Sequence, residues 1–167
     1  MNNNRIKLLG LAMAAFLMLS CDTTQRGEGT GELHSGATGY DSALARKYGA
    51  DEYGMKKYIF AFLKKGPNRN LDPSEAEKLQ KAHLDNIARM AESGELVLAG
   101  PFIESGEIRG IYIFDVESME EAERLTSSDP AVRAGSLAME LHQWYGSAAL
   151  GAVNKIHRKI SRRGITE

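Results

Sequence analysis

The sequence predicts an α+β fold, a ferredoxin-like βαββαβ sandwich followed by a C-terminal helical extension. Apolar runs with strand composition bracket two stretches in which apolar residues recur at helical spacing. A short glycine-containing connection between the second and third strands is typical of a hairpin. Each helical stretch begins just after a side chain that caps helix N-termini. Together these observations predict a four-stranded antiparallel sheet with both helices on one face.

The first strand is predicted over residues 57–63, a run rich in aromatic and β-branched residues that ends before Gly66 and Pro67. Both faces of this strand are apolar: Tyr58, Phe60 and Phe62 alternate with Ile59, Ala61 and Leu63. A sheet face without polar residues needs a partner surface. We therefore expect a homodimer in which two sheets pack together.

The first helix has three start signals at Asp72, Pro73 and Glu75. They are an N-cap, a proline at the first helical position and a glutamate three residues after the cap. Apolar residues then recur at helical spacing, and Gly94 ends the helix because glycine tolerates a positive φ.

The remaining elements follow with short connections. The second and third strands are predicted over 96–101 and 108–116, Ser118 caps the second helix, Asp129-Pro130 starts a short helical turn, and 137–145 forms the last strand.

Residues 1–20 have the features of a lipoprotein signal peptide. Arg5 and Lys7 precede an apolar run over 8–19, which is about half of the roughly 20 residues that a membrane-spanning helix needs. The run stops at Cys21, the only cysteine in the chain, in a sequence that resembles a lipobox. Cys21 is therefore predicted as the lipidation site. An ordinary signal peptide or an uncleaved anchor is the alternative.

This interpretation gives four segments. Residues 1–20 are the signal peptide, 21–54 a flexible tether with a short helix near its end, 55–146 the α+β domain, and 147–167 a basic C-terminal helix or tail. The chain is then expected to be held to a bacterial membrane through its lipid anchor, in the cell envelope, with the domain outside the cytoplasm.

The C-terminal segment carries an apolar stripe, Ala149, Val153, Ile156 and Ile160, among basic residues. One interpretation is contact with anionic lipid near the anchor. The other, which is the commoner role for such a tail, is a helix that clasps a dimer or is simply solvated.

Composition excludes several classes of function. The net charge of −1 shows no bias toward nucleic acid, so no nucleic-acid partner is expected. A single cysteine excludes an intramolecular disulfide and a four-cysteine zinc site. No nucleotide-binding loop, zinc pattern or haem motif occurs, so we expect neither a cofactor nor a metal.

Several short motifs occur in order on this frame: His83-Leu84, residues 98–101, Gly110, Asp129-Pro130 and Ala134-Gly135. In order and spacing they resemble the YciI-like (YCII-related) domain, from about Met55 to Tyr145. The resemblance implies a dimeric α/β barrel. It also implies an active site formed by a histidine and an aspartate, which here are His83 and Asp129.

Both residues also have structural interpretations. His83 lies on the apolar stripe of the first helix, where an imidazole is more often a hydrogen-bonded core residue. Asp129 precedes a proline and is a good N-cap. A capping carboxylate can still face a histidine, so the two roles of Asp129 are compatible.

If the pair acts, the imidazole accepts a proton and the carboxylate fixes its tautomer. The resulting function is a cofactor-independent acid/base enzyme of the isomerase or lyase/dehydrohalogenase type. The resemblance implies a small cyclic or phenolic substrate. The alternative is a non-catalytic lipoprotein module that binds or senses a small ligand, or a structural dimer.

A substrate pocket is predicted near the last strand. Glu140, His142 and Trp144 share one face there and could line a pocket at the dimer interior, although an interface polar cluster is the alternative. Tyr112 and Phe114, two apart on the third strand, could wall the same cavity, although such residues more often belong simply to the core.

Overall fold

The computed structural model describes residues 39–165 of the 167-residue chain. The predicted signal peptide, the lipidation site Cys21 and most of the tether lie outside the described residues. A compact unit begins at Gly39. Its elements are, in order, α1 (Ser42–Tyr48), β1 (Met55–Lys65), α2 (Pro73–Ser93), β2 (Leu96–Pro101), β3 (Ile108–Phe114), α3 (Met119–Ser128), α4 (Pro130–Arg133), β4 (Leu137–Ser147), a 3₁₀ helix (Ala148–Ala152) and α5 (Val153–Ile160).

The four strands form one antiparallel sheet in the order β2-β3-β1-β4. β1 pairs with β4 from Met55 opposite Ser147 to Lys65 opposite Leu137. On its other side Ala61 of β1 lies opposite Tyr112 of β3. This order and the helices between the strands confirm the predicted α+β, ferredoxin-like βαββαβ arrangement.

The helix boundaries are set by the capping residues that the sequence indicated. Asp72 accepts hydrogen bonds from the backbone N–H groups of Ser74 and Glu75 at 2.9 and 3.0 Å. Ser118 does the same for Glu121 at 3.1 Å. Each cap satisfies N–H groups that have no partner inside the helix, and its loss typically costs about 1 kcal/mol. The predicted short helix before β1 is also present, as α1, with Asp41 as its N-cap.

The helix-facing side of the sheet holds the larger core. It consists of Ile59, Ala61, Leu63, Met90, Leu96, Tyr112, Phe114, Ala122 and Leu125, all buried. The opposite side has a smaller cluster of Tyr58, Val97 and Ile113, against which Leu150 of the extension packs. The extension therefore covers one end of the open face, whereas Trp144, opposite Tyr58 on the edge strand β4, remains 39% exposed.

The C-terminal extension is helical, as predicted, and hydrogen bonds fix it to the domain. The Ala148 N–H donates to the Gly54 carbonyl at 2.9 Å. The Asn154 amide donates to the Leu96 carbonyl at 2.7 Å and to the Ala91 carbonyl at 3.3 Å. Among residues 39–165, no helix combines the length and the apolar composition needed to cross a bilayer.

Gly66 joins β1 to the turn that follows α4. Its N–H donates to the Ser136 carbonyl at 2.9 Å. A Cβ at this position would lie 2.1 Å from the Gly135 carbonyl oxygen, which belongs to the backbone and cannot swing away. Only glycine therefore permits the approach that holds the α4 turn against the end of β1.

Gly66→Ala should therefore lower the free energy of unfolding by about 1–3 kcal/mol, because the added methyl group forces two backbone segments apart. Urea unfolding followed by circular dichroism measures this change. Gly100→Ala is the matched control, since a Cβ there meets no atom within 4 Å. Equal midpoints for the two variants would contradict this account of Gly66.

Candidate active site

His83 projects from the middle of α2 toward the sheet. It lies four residues after Leu79 and four before Ile87, on the helix stripe that packs over the core. Only 9% of its side chain is exposed. The amphipathic spacing of α2 therefore carries an imidazole into the protein interior.

Asp129 occupies the single position between α3 and α4. Its backbone is extended, and its side chain caps α4 by accepting a hydrogen bond from the Ala131 N–H at 2.8 Å. Its side chain is completely buried. The predicted N-cap role of Asp129 is confirmed. Because the cap directs the carboxylate toward the first turn of α4, the carboxylate lies in the interior of the protein.

The two side chains meet in the interior. His83 Nδ1 lies 3.0 and 2.9 Å from the two carboxylate oxygens of Asp129, although the residues are 46 positions apart. Asn86, one turn after His83, donates to the same carboxylate at 3.2 Å. The carboxylate thus has three protein donors, as a buried charge requires.

This arrangement fixes the tautomer of His83. An ionised carboxylate only accepts hydrogen bonds, so in the neutral imidazole Nδ1 carries the proton and Nε2 keeps its lone pair. The Tyr112 hydroxyl lies 3.3 Å from Nε2 and can donate to it. Asp129, His83 and Tyr112 therefore form one buried chain of hydrogen bonds, in which Nε2 of His83 is the nitrogen able to accept a proton.

The electrostatics support this assignment. Burial by itself would raise the pKa of Asp129, but the hydrogen bond from His83, the charge of that imidazole whenever it is protonated, the Asn86 amide and the Ala131 N–H outweigh it and lower the pKa below its ordinary value of 3.8. Burial, and then the negative charge of Asp129, raise the pKa of Tyr112 above its ordinary value of 10.0. Asp129 is therefore ionised and Tyr112 protonated at neutral pH.

The prediction that Tyr112 and Phe114 wall a cavity shared with His142 and Trp144 is wrong. Tyr112 and Phe114 pair with Ala61 and Ile59 and belong to the core under the helices. His142 pairs with Phe60, on the opposite side of the sheet. The period-two alternation of strands separates the two groups, and only Tyr112 of the predicted pocket residues contacts His83.

Glu140, His142 and Trp144 do share one face, as predicted, and that face is the open one. His142 Nε2 lies 2.8 Å from a Glu140 oxygen, and Lys64 donates to the other oxygen at 3.0 Å. The Trp144 ring packs beside Phe60, with centroids 6.2 Å apart. The cluster is half-exposed, and its proposed role in a pocket at a dimer interior stays a prediction.

Two cavities, of 490 and 740 Å³, lie beside the C-terminal extension, and neither is lined by His83 or Asp129. Within residues 39–165 no three His, Cys, Asp or Glu side chains converge as metal ligands would. Sequence reasoning did not assign Asn86 to the site. Its position three residues after His83, on the same helix face, was the available signal.

The fold and the site define a ferredoxin-like α+β protein with a buried histidine–aspartate pair between helix and sheet. The model of the YCII-related domain family matches residues 58–144. The chain belongs to this family, which confirms the resemblance predicted from the sequence.

Individual relatives are more distant. The uncharacterized protein YjpA of Bacillus subtilis (strain 168) is 31% identical over 62 residues, which is 37% of this chain and 71% of YjpA. Among solved structures, the chain is similar to 5-chloro-2-hydroxyhydroquinone dehydrochlorinase (TftG) from Burkholderia phenoliruptrix AC1100, in complex with 2,5-dihydroxybenzoquinone. That match has 20% identity and a TM-score of 0.41, and covers 52% of this chain and 92% of the other.

Asp129→Asn should lower the free energy of unfolding at pH 7 by about 3 kcal/mol, because it removes the charged member of a buried pair. The folded-state pKa of Asp129 is depressed, so its charge stabilises the fold above the ordinary value of 3.8 and this contribution is lost as the pH falls through the folded-state pKa. Urea unfolding at several pH values measures it, and the difference from the unmodified chain should shrink in acid.

Asp85→Asn is the matched control. Asp85 lies on the same helix, about half-exposed, in a surface ion pair with Lys81. Its replacement should change the free energy of unfolding by less than about 1 kcal/mol. If the difference in the free energy of unfolding between Asp129→Asn and the unmodified chain stays constant from neutral to acid pH, Asp129 is not ionised in the folded protein.

Proposed function

We propose that the protein is a cofactor-independent acid/base enzyme, of the isomerase or lyase/dehydrohalogenase type, that acts on a small cyclic or phenolic molecule. The observation that carries the proposal is the contact of His83 Nδ1 with both Asp129 oxygens at 2.9 and 3.0 Å. Membership of the YCII-related family supports the assignment of this pair, and the substrate class rests on the resemblance alone.

The chemistry follows from the unprotonated ring nitrogen of His83. Nε2 of His83 accepts a proton from a C–H or O–H bond of the substrate, and the Asp129 charge stabilises the imidazolium that forms. In an elimination, the electron pair of the broken bond forms a double bond while a leaving group such as halide departs with its own pair. In an isomerisation, the same proton returns to a different carbon.

The route to Nε2 passes Tyr112. Tyr112 is 1% exposed and its hydroxyl stands in front of Nε2, so a substrate proton reaches the base through this hydroxyl or at the small exposed edge of His83. A protonated hydroxyl can donate to Nε2 while it accepts from the substrate, which suits a relay. The proposed role of Tyr112 is therefore that of a proton relay to His83, whereas the sequence predicted it as part of a pocket wall.

Homodimerisation and the lipid anchor belong to the same proposal. The uncovered part of the sheet, around Phe60, Phe62 and Trp144, is an aromatic surface suited to a second copy. Lipidation at Cys21 would hold the domain in the cell envelope, outside the cytoplasm. The family resemblance and the apolar face support the dimer, and the sequence alone supports the anchor.

The second candidate is a non-catalytic module that binds or senses a small ligand. The burial of His83 and Asp129, with 9% and 0% of their side chains exposed, favours it. On this view the pair only fixes α4 against α2. A ligand would then bind without turnover, and His83 would affect affinity or folding alone.

His83→Gln should lower kcat/KM by at least about 100-fold, because general-base catalysis contributes about 10²–10⁴-fold. The assay follows turnover of candidate lactones and chlorinated phenols, with the unfolding midpoint measured on the same samples. His157→Gln, an exposed histidine on α5, is the matched control and should keep full activity. An unchanged rate for a folded His83→Gln protein would reject the base, and binding without turnover would favour the second candidate.

Phe62→Glu should convert the proposed dimer into monomers, because an added carboxylate without a partner, beside Glu140, is costly to bury against a second sheet. Size-exclusion chromatography with light scattering measures the mass. Ile103→Glu places the same charge at a fully exposed loop position and should leave the mass unchanged. A monomeric unmodified protein would remove the dimer from the proposal.

A further inference from the structure

We propose that the outward face of α5, together with the basic residues beside it, docks on an anionic membrane surface. The proposal goes beyond the acid/base function, because it concerns the opposite end of the sheet from the α4 turn. It rests on three observations: the charge of the segment, two exposed isoleucines, and the point where the chain enters the domain.

The charge of the segment is concentrated and of one sign. Besides His157, residues 148–163 contain five Lys and Arg side chains and no acidic one. The basic residues are Lys155, Arg158, Lys159, Arg162 and Arg163. None of them has a carboxylate partner among the described residues. A cluster of this size beside an amphipathic helix matches the requirements of anionic headgroups.

The apolar part of the face is uncovered. Val153 and Asn154 turn toward the domain, and hydrogen bonds from Asn154 fix the helix there. Ile156 and Ile160, farther along the helix, are 55% and 74% exposed. The predicted apolar stripe is therefore divided: Val153 is half-buried and faces the cavity beside β2, whereas the two isoleucines are exposed.

The chain enters the domain beside this helix. Tyr48 of α1 packs against Gly151, so closely that a Cβ on Gly151 would lie 2.8 Å from the Tyr48 ring. Arg46 and Lys47 of α1 line the same cavity as Lys155. At most about 70 Å of extended chain separates Asp41 from Cys21. An anchor at Cys21 would thus keep α1 and α5 within reach of the membrane.

Charge complementarity selects a bilayer over a second copy of this helix. A two-fold contact between two α5 helices would bring basic segments together without any carboxylate in either. An anionic bilayer offers countercharge to the lysines and an apolar interior to the isoleucines at the same time.

The test places an environment-sensitive fluorophore on α5 in the full chain. The chain carries Ile160→Cys for labelling with bimane and Cys21→Ser so that the introduced thiol is the only one. With vesicles of phosphatidylglycerol and phosphatidylcholine, the emission should shift to shorter wavelength. The shift should be absent with phosphatidylcholine alone and lost in about 1 M NaCl, where the Debye length is roughly 3 Å.

Reversing the charge of two lysines on α5, and of two lysines elsewhere, distinguishes binding through α5 from nonspecific attraction between any basic residue and the vesicle. Lys155→Glu with Lys159→Glu should reduce the docked fraction at least about tenfold, because each lysine near an anionic surface contributes substantially to binding. Lys65→Glu with Lys78→Glu is the matched control. Both lysines are exposed, and Lys65 ends β1 away from the extension. This control should retain the shift.

Three results would overturn the proposal. They are no shift with anionic vesicles, equal loss of the shift in both double variants, and a shift in phosphatidylcholine that grows with protein density. The third result would indicate that the exposed face of α5 contacts a second molecule of this protein and not the lipid. None of these results bears on turnover, so failure here is distinguishable from failure of the acid/base function.

Discussion

The buried carboxylate of Asp129 is the constraint on which the arrangement of this domain depends. A charge with no solvent exposure persists only if protein donors replace its hydration. The donors come from α2, through His83 and Asn86, and from the first turn of α4. The Asp129 side chain therefore connects α2 to the short helix α4, which follows α3. The close contact at Gly66 holds the turn after α4 against β1. The position of Asp129 is therefore fixed both by its hydrogen bonds to α2 and by the contact of this turn with β1.

The same constraint gives the imidazole a defined chemical state. Because Asp129 accepts a hydrogen bond from the Nδ1–H group of His83, the lone pair of Nε2 faces the Tyr112 hydroxyl in a low-dielectric interior. An arrangement of this kind suits proton transfer and needs no nucleophilic Ser or Cys. Meanwhile the opposite face of the sheet holds an aromatic surface, and the far end holds a basic helix. Chemistry, assembly and attachment would thus use three separate parts of a small domain.

Much of this was accessible from sequence because the signals are local. Asp72, Ser118 and Asp129 each precede a helix that they cap, and the strand alternation gave the sheet its two faces. The histidine–aspartate pair came from a family resemblance, since no local rule brings together residues 46 positions apart. The error at Tyr112 and Phe114 arose because alternation shows which residues of one strand share a face. It does not show whether that face of β3 is on the same side of the sheet as a given face of β4. The burial of His83 also depends on how α2 packs, which composition does not give.

The central claim is that His83 carries its proton on Nδ1 and leaves Nε2 unprotonated because Asp129 holds it in that form. Long-range ¹H–¹⁵N correlation spectra of ¹⁵N-histidine-labelled protein at neutral pH report this directly. We expect a protonated Nδ1 and an unprotonated Nε2 for His83, and a changed pattern in Asp129→Asn. A proton on Nε2 of His83 in the unmodified protein would contradict the account.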